Sequence, residues 1–329
     1  MLEFKLDNKN TKMFSRIGSR ATFGLASLDL AEKIENLIIL TSDVSTSAGL
    51  DRFRKTYKDK FVEVGIAEQN LIGIAAGMAS ENFNVITTTF APFQTMRCLE
   101  QIKVNLGYMK QKVCMVGLAS GLVLGTLGYT HCCIEDLGII RTIPNISVIS
   151  PADCGETVKA LYAAIQSKES TYIRLTGGSN SKIVYNDNYK FEIGKNIILK
   201  EGKDITLISN GAMVAESIEA AQYLEDYGIS TRVVNMHTIK PIDYANIKFL
   251  SQNSHLIVTI EEHSIIGGLG SAVAEVLSSI PNSPVQYFIG LPDRYDKSGD
   301  YEYLKKEYNL TGNLISNNIK KKYDELRKI

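Results

Sequence analysis

Short runs of apolar and β-branched residues alternate with longer segments of helical periodicity along the chain. Such short runs are typical of buried strands, and the longer segments are typical of amphipathic helices. In the first half the predicted strands are 37–41, 61–64, 85–90, 113–117, 146–150 and 172–175, and the predicted helices are 70–79, 91–106 and 156–166. In the second half the predicted strands are 205–209, 231–235, 256–260 and 285–289, with helices over 212–227 and from Gly268 onward.

This alternation predicts the fold class. Strands that are separated by helices form βαβ units, so we expect an α/β protein of two domains, each a mostly parallel sheet flanked by helices. A polar stretch rich in Asn and Lys, 179–190, separates the two halves. We therefore predict a first domain over 1–182, a linker over 183–198 and a second domain over 199–329. The length of 329 residues suits two domains, because single cores rarely exceed about 250–300 residues.

Composition and charge exclude several classes of function. Lys+Arg and Asp+Glu both number 36, so we expect neither nucleic acid nor a membrane surface as a partner. The sequence has no signal pattern and no uninterrupted apolar stretch of about 18 residues. Five cysteines without framework spacing indicate a reducing cytoplasm. The adjacent Cys132 and Cys133 lack the spacing of zinc motifs, so we predict no metal site in this chain.

One acid stands out because of the segment around it. Glu68 follows a short apolar strand and a Gly-containing turn, and it opens a helix rich in small residues. Such a helix packs closely on most sides, so we expect Glu68 to be poorly solvated. Burial raises carboxyl pKa values toward the range useful in proton transfer, whereas an acid at a helix start can also simply pair with the free N–H groups of the first turn. This stretch alone leaves both interpretations open.

Two glycine-rich stretches follow predicted strands. The stretch 125–131 ends at His131 and lies where open α/β sheets bind ligands, although a loop histidine can also merely cap a turn. The stretch 267–272 opens a helix, as a dinucleotide fingerprint does. It lacks the third glycine and follows the acidic pair Glu261 and Glu262, so close packing of helix on strand is the simpler explanation.

Several motifs in chain order resemble the C-terminal half of transketolase, and together they extend over nearly the whole chain. They are VGIAEQN at 64–70, TFAPF at 89–93, the glycine-rich stretch 125–131, TIKPID at 238–243, VTIEEH at 258–263 with GGLG at 267–270, and GLPD at 290–293. The resemblance implies a pyrimidine-binding domain and a C-terminal domain of a thiamine diphosphate enzyme. The Gly-Asp-Gly motif by which transketolases bind the diphosphate and its metal is absent from the sequence. The chain is thus similar to the C-terminal subunit of a split transketolase, which implies an N-terminal partner subunit that binds the diphosphate and Mg²⁺ or Ca²⁺.

The resemblance also implies roles for individual residues. Glu68 matches the glutamate that bonds the aminopyrimidine ring nitrogen and favours the imino tautomer, whose nitrogen removes the thiazolium C2 proton. Phe90 and Phe93 match the aromatic segment that stacks on the pyrimidine, and Asp43 matches an aspartate near the cofactor. His131 matches a histidine that contacts the reacting hydroxyls of the sugar. The implied catalytic residues are Glu68 and His131.

The positions that would bind the sugar depart from the family. Arg16 and Ser47 match two groups that hold the substrate phosphate. Ala119 and Gly177 stand where a histidine and an arginine are expected, and Leu127 stands where an aspartate would contact a sugar hydroxyl. Three arginines could take the place of the missing groups: Arg20, Arg97 and Arg174. We therefore expect altered sugar or phosphate specificity.

The activity implied by the resemblance is transfer of a two-carbon ketol unit from a ketose to an aldehyde, in the carbohydrate metabolism of the cytoplasm. The implied assembly is a heterotetramer in which two copies of this chain pair with two partner subunits. The same architecture leaves open the beta subunit of a 2-oxo acid dehydrogenase and an enzyme like 1-deoxyxylulose-5-phosphate synthase. The stretches 238–243 and 290–293 favour transketolase over the dehydrogenase. A non-catalytic pairing subunit is a further alternative, against which the retention of Glu68 argues.

Overall fold

The computed structural model describes residues 2–328, which fold around two β-sheets. The elements of the first half are α1 Asn8–Lys33, β1 Leu37–Thr41, α2 Asp51–Thr56, β2 Phe61–Glu63, α3 Glu68–Ser80, β3 Asn84–Phe90, α4 Ala91–Gln94, α5 Leu99–Gln101, β4 Val113–Leu118, α6 Asp136–Arg141, β5 Ile146–Ile149, α7 Cys154–Gln166 and β6 Ser170–Arg174. Those of the second half are β7 Ile197–Lys200, β8 Ile205–Ser209, α8 Met213–Asp226, β9 Thr231–Asn235, β10 Thr238–Lys240, α9 Tyr244–Gln252, β11 Leu256–Ser264, α10 Leu269–Leu277, β12 Val285–Leu291, α11 Tyr301–Glu307 and α12 Gly312–Leu326.

The first sheet has the strand order β10-β5-β6-β4-β3-β1-β2. Strands β1 to β6 pair in parallel, and β10 joins the edge antiparallel to β5. The second sheet has the order β12-β11-β8-β9-β7, with β7 antiparallel to β9 and the other pairs parallel. The prediction of a two-domain α/β protein with mostly parallel sheets is confirmed.

One buried apolar cluster contains residues of both halves. Helices α1 and α7 cover one face of the first sheet, with Phe23, Leu30 and Leu161 fully or almost fully buried. On the other face, Leu71 of α3 belongs to the same buried cluster as Ile257 of β11. Each such side chain contributes about 1.5–3 kcal/mol when it is removed from water. The second half therefore packs against the face of the first sheet that α1 and α7 leave uncovered.

Helix α1 is bent where the chain contains a glycine. Gly18 has φ +83° and ψ 169°, far outside the helical region. A Cβ at this position would lie 2.9 Å from the carbonyl oxygen of Gly178, so the close approach of the two segments also favours glycine. The bend brings the residues that follow Gly18 against the loop after β6.

The predicted strands are all present, and β11 continues beyond residue 260 to Ser264. The predicted helix 91–106 is interrupted: α4 is followed by a 3₁₀ turn at Met96–Cys98, then by α5 and a π-helical segment at Ile102–Tyr108. Thr95 breaks the regular geometry with φ −113° and ψ −77°. Arg97 therefore lies in a 3₁₀ turn rather than in a regular α-helix. Among the helices within residues 2–328, none is long and apolar enough to cross a membrane.

Candidate active site

The predicted site residues follow strands that end at one edge of the first sheet. Strands β4, β3, β1 and β2 are neighbours and parallel, so their carboxyl ends lie side by side. Phe90 ends β3, Asp43 follows β1, and Glu68 follows β2 after a turn at Gly65 with φ +71°. The loop after β4 carries His131. Parallel sheets bind ligands at this edge.

Glu68 is the first residue of α3, and its side chain is 4% exposed. Its Oε1 accepts a hydrogen bond from Arg97 Nη1 at 2.7 Å. The Arg97 guanidinium also lies over the Phe93 ring, with 3.8 Å between Cζ and the ring centroid. Glu68 is thus poorly solvated, as expected, and it has a charged partner. The sequence did not reveal this partner, because Arg97 lies 29 positions away.

Three aromatic rings form a cluster, and one of them, Phe93, lies under the guanidinium that pairs with Glu68. The ring centroids of Phe90 and Phe93 are 6.3 Å apart, and the His131 ring lies 6.4 Å from Phe90 and 5.5 Å from Phe93, all edge to face. The His131 Nδ1 is 3.0 Å from the Thr130 hydroxyl. His131 Nε2 makes no hydrogen bond to any other described residue, so this nitrogen is available to a ligand.

Asp43 lies on the turn after β1 with its side chain exposed. Its backbone is in the left-handed region, with φ +54°, and its N–H donates to Glu63 Oε1 at 2.7 Å. Glu63 Oε1 also accepts the N–H of Gly65 at 3.1 Å. This carboxylate fixes the turn after β1 relative to the turn that leads into Glu68, which places Asp43 at the same sheet edge.

The two residues predicted to bind phosphate, Arg16 and Ser47, have different surroundings. Ser47 lines a cavity of about 250 Å³ together with Arg20, Gly177 and Gly178. Arg16 is exposed and does not line this cavity. The bend at Gly18 explains the difference, because it turns the chain between the two arginines. Arg20, rather than Arg16, shares the lining of this cavity with Ser47.

Arg174 does not take the place of the arginine that the resemblance predicts at position 177. Its side chain is fully buried, and its Nε donates to both carboxylate oxygens of Asp136 at 3.0 and 2.9 Å. Gly177 has φ +73° and lines the cavity, where it contributes backbone but no charge. Ala119 is buried, whereas Leu127 is 55% exposed on the loop that carries His131. The loop that carries His131 thus presents an apolar side chain to solvent at position 127.

The cysteines near the site are protonated thiols at neutral pH. Burial raises the pKa of Cys98 to about 12 and that of Cys132 to about 11. Neither thiol is suited to act as a nucleophile, since the thiolate is the reactive form. Within residues 2–328, no group of three or more His, Cys, Asp or Glu side chains is placed to hold a metal ion.

Comparison with protein families matches both halves of the chain. The description "Transketolase, pyrimidine binding domain" fits residues 15–180. The description "Transketolase, C-terminal domain" fits residues 194–315. Together the two families account for most of the chain.

Individual relatives agree. The chain is 35% identical to a subunit of the apulose-4-phosphate transketolase of Phocaeicola vulgatus, over 89% of this chain and 94% of the relative. It is 34% identical to a subunit of the 6-deoxy-6-sulfo-D-fructose transketolase of a Clostridium species, over 88% of this chain and 89% of the relative. The 1-deoxy-D-xylulose-5-phosphate synthase of Caldanaerobacter subterraneus is 33% identical over 93% of this chain, which spans only 49% of that enzyme.

A solved structure described as a split gene transketolase, an inactive beta4 tetramer, has the same fold. It superposes with a TM-score of 0.82 at 36% identity, covering 93% of this chain and 97% of the other. The family matches, the relatives and this structure agree with the observed two-domain fold. The chain belongs to the transketolase family and carries its pyrimidine-binding and C-terminal domains.

Proposed function

We propose that this chain is the pyrimidine-binding subunit of a split, thiamine diphosphate-dependent transketolase that transfers a two-carbon ketol unit from a ketose to an aldehyde. The observation that carries the proposal is the pairing of a buried carboxylate, Glu68, with the aromatic cluster of Phe90, Phe93 and His131. A carboxyl group beside aromatic faces suits a flat heterocycle with a basic ring nitrogen.

Arg97 supports this fit. Its guanidinium is a planar group with N–H donors, and it makes the two contacts that the aminopyrimidine would make: a hydrogen bond to Glu68 and a face contact with Phe93. The carboxylate cannot share a proton with a ring nitrogen while it is ion-paired with a guanidinium. We therefore infer that Arg97 moves aside when the cofactor binds, and its 42% exposed side chain has room to do so.

When bound, thiamine diphosphate supplies a thiazolium carbon that accepts the two-carbon unit. Glu68 would hold a proton at the ring nitrogen of the pyrimidine once the cofactor is bound. Phe90 and Phe93 orient the ring and exclude water from it. The exposed Asp43 lies at the same edge and is proposed as a cofactor-side residue.

A partner chain completes the proposal. The sequence lacks Gly-Asp-Gly, so the diphosphate and its Mg²⁺ or Ca²⁺ would be held by an N-terminal subunit. Two copies of this chain with two partners would form the active, cytoplasmic assembly. The similar split gene transketolase, a beta4 tetramer, is described as inactive, which supports the need for a second kind of subunit.

For the sugar, we propose that His131 orients the reacting hydroxyls and that Arg20 and Ser47 hold the anionic end of the substrate. The relatives are named for a phosphorylated sugar and for a sulfonated one, so subunits similar to this chain are associated with different anionic groups. One arginine in place of a fuller set, together with the apolar Leu127, supports weaker discrimination for phosphate or an acceptor that is less polar at one carbon.

The alternative enzymes differ from a transketolase in the substrate that donates the two-carbon unit. A 1-deoxyxylulose-5-phosphate synthase-like enzyme and a 2-oxo acid dehydrogenase both release CO₂ from a 2-oxo acid, whereas a transketolase uses a ketose. The test is to combine this chain with an N-terminal transketolase subunit that contains Gly-Asp-Gly, thiamine diphosphate and Mg²⁺, and to supply either a ketose phosphate or pyruvate, each with an aldose acceptor. We expect two-carbon transfer from the ketose and no CO₂ from pyruvate. CO₂ release without ketose turnover would replace the proposal with one of these alternatives, and no turnover of either donor would favour the pairing subunit.

A further inference from the structure

The loop that carries His131 packs against the C-terminal domain. We call residues 119–134 the substrate loop. A short bridge closes its base: Gly121 N–H donates to Cys133 O at 2.8 Å, and Cys133 N–H donates to Gly121 O at 3.0 Å. His131 lies two residues before Cys133, so its position depends on what holds this base.

A buried carboxylate of the second half holds the base. Glu262 of β11 is 1% exposed, and its Oε1 accepts the Leu122 N–H at 2.6 Å. Its Oε2 accepts the hydroxyl of Tyr301 from α11 at 2.7 Å. A Cβ at Gly121 would lie 2.2 Å from Glu262 Oε1, so glycine is required for the carboxylate to come this close.

Arg174 ties the other end of the substrate loop to the same strand. Its Nη2 donates to the carbonyl of Glu262 at 2.8 Å and to that of Cys133 at 3.3 Å. Ile134, the last residue of the loop, also bonds to β11, because Ser264 N–H donates to Ile134 O at 2.8 Å. Both ends of the loop are thereby fixed to β11.

The tip of the loop also contacts the C-terminal domain. The hydroxyls of Tyr129 and Tyr308 are 2.6 Å apart, and the Tyr129 ring lies 4.9 Å from that of Tyr295. The N–H of Gly299 donates to Gly125 O at 3.1 Å. The C-terminal domain thus supports the loop along its length, whereas the aromatic partners of His131 belong to the first half.

From these contacts we infer that the C-terminal domain positions the substrate loop, and that Glu262 is the residue through which it fixes His131. This inference rests on the proposed role of His131 in sugar binding. Glu262 does not touch the reacting atoms in this scheme; it is a positioning residue. Removing its carboxylate leaves the buried Leu122 N–H without an acceptor, which favours local opening of the loop.

The test uses the full chain in complex with its N-terminal partner. Hydrogen exchange of residues 119–134 is measured for wild type, Glu262→Ala, Glu262→Gln and the control Glu261→Ala. Glu261 is the adjacent, equally buried carboxylate, but it accepts the N–H groups of Leu269 and Gly270 at the start of α10. We expect Glu262→Ala to accelerate exchange in the substrate loop by about tenfold to a hundredfold, and Glu261→Ala to accelerate it in 265–277 instead.

Kinetics give the second readout. We expect Glu262→Ala to raise KM for the ketose by about tenfold or more while thiamine diphosphate affinity is unchanged, and Glu262→Gln to restore most of the loss because its amide oxygen still accepts the Leu122 N–H. If Glu262→Ala does not fold, Tyr301→Phe is compared with Tyr303→Phe, which alters an exposed tyrosine of the same helix. Substrate-loop exchange and KM that match the control variants would overturn the inference. Absence of transfer by wild type would count against the proposed function, while the exchange data would still decide whether Glu262 fixes the loop.

Discussion

At the scale of single residues, two arginines on one helix have different surroundings. Arg20 lines the cavity with Ser47, whereas Arg16 is exposed and lies before the bend at Gly18. A hydrogen bond to a charged group contributes about 1.5–3 kcal/mol, so we expect Arg20→Met to raise KM for a phosphorylated acceptor by about tenfold or more. Arg16→Met, the matched control, should leave KM near the wild-type value. The reverse order of effects would restore Arg16 as the phosphate residue.

A related comparison concerns the position where the family has an arginine. Gly177 lines the same cavity without contributing charge. We expect Gly177→Arg to increase the preference for phosphorylated over unphosphorylated aldoses, measured as the ratio of their kcat/KM values. Because Gly177 has φ +73°, the variant also carries backbone strain, so its thermal stability is measured alongside. A wild type that already prefers the phosphate ester by about three decades would contradict the expected weak discrimination.

Arg97 gives a third prediction. It occupies the contacts proposed for the aminopyrimidine, so we expect Arg97→Met to bind the free aminopyrimidine half of thiamine about tenfold more tightly than wild type in calorimetric titration. The reason is that the variant leaves Glu68 buried without its cation until the ring binds. Arg54→Met is the control, because Arg54 has a similar exposure and pairs with Asp51 away from Glu68. Weaker binding by Arg97→Met would mean that Arg97 helps to hold the ring.

At the scale of elements, Asp153 connects helix α7 to the segment that joins the two halves. Its Oδ1 accepts the Glu156 N–H at 2.8 Å at the start of α7, and its Oδ2 accepts the N–H groups of Val184 and Tyr185 at 2.8 and 3.1 Å. Burial raises the pKa of Asp153 from 3.8 to about 6, although these bonds oppose the rise. The helix start therefore contains an acid that stays protonated to a higher pH in the folded protein than in the unfolded chain.

The raised pKa of Asp153 determines how the free energy of unfolding changes with pH. Between pH values of about 4 and 6 the folded protein holds a proton that the unfolded chain has released, so the free energy of unfolding falls as pH rises through this window. We expect the difference in this free energy between wild type and Asp153→Asn to fall by roughly 2 kcal/mol from pH 4 to pH 7, as measured by urea denaturation. A difference that is flat with pH would show that Asp153 is ionised in the folded protein throughout.

The sequence predicted the buried strands well and the irregular elements poorly. Strands such as β8 are uniformly buried, and their apolar pattern does not depend on distant contacts. β7 and β10 are short, and each pairs at a sheet edge in a way that only the tertiary fold determines. The bend in α1 depends on the approach of Gly178, which lies 160 positions from Gly18, and it is this bend that distinguishes Arg20 from Arg16.

The site residues show the same difference between local patterns and distant contacts. Glu68, Phe90 and His131 were identified because they lie in local motifs, and the strand order then brings those motifs together. The ion pair of Glu68 with Arg97 was not predictable, because it results from the broken helical segment around Thr95. The contact of Glu262 with Leu122 joins the two halves across 140 positions and leaves no local signal.

At the scale of the whole molecule, this chain holds only part of the proposed cofactor site. We expect the isolated chain to bind thiamine diphosphate poorly and to show no turnover, because charge-assisted bonds and a metal should supply much of the affinity for the diphosphate. With the partner present, light scattering should give two copies of each chain, as expected for the heterotetramer that the resemblance to transketolase implies. Micromolar cofactor binding by this chain alone, or a stable and active one-to-one complex, would contradict this arrangement.

The proposed activation of the cofactor by Glu68 can be tested through the exchange rate of the C2 proton of thiamine diphosphate bound to the complete complex. Wild type is compared with Glu68→Gln after light scattering and cofactor titration show that the variant assembles and binds. The amide cannot share a proton with the ring nitrogen as the acid does, so we expect exchange to slow by about 10²–10⁴-fold, together with the loss of two-carbon transfer. An exchange rate in Glu68→Gln equal to that of wild type would show that Glu68 is only an acid at the start of a helix.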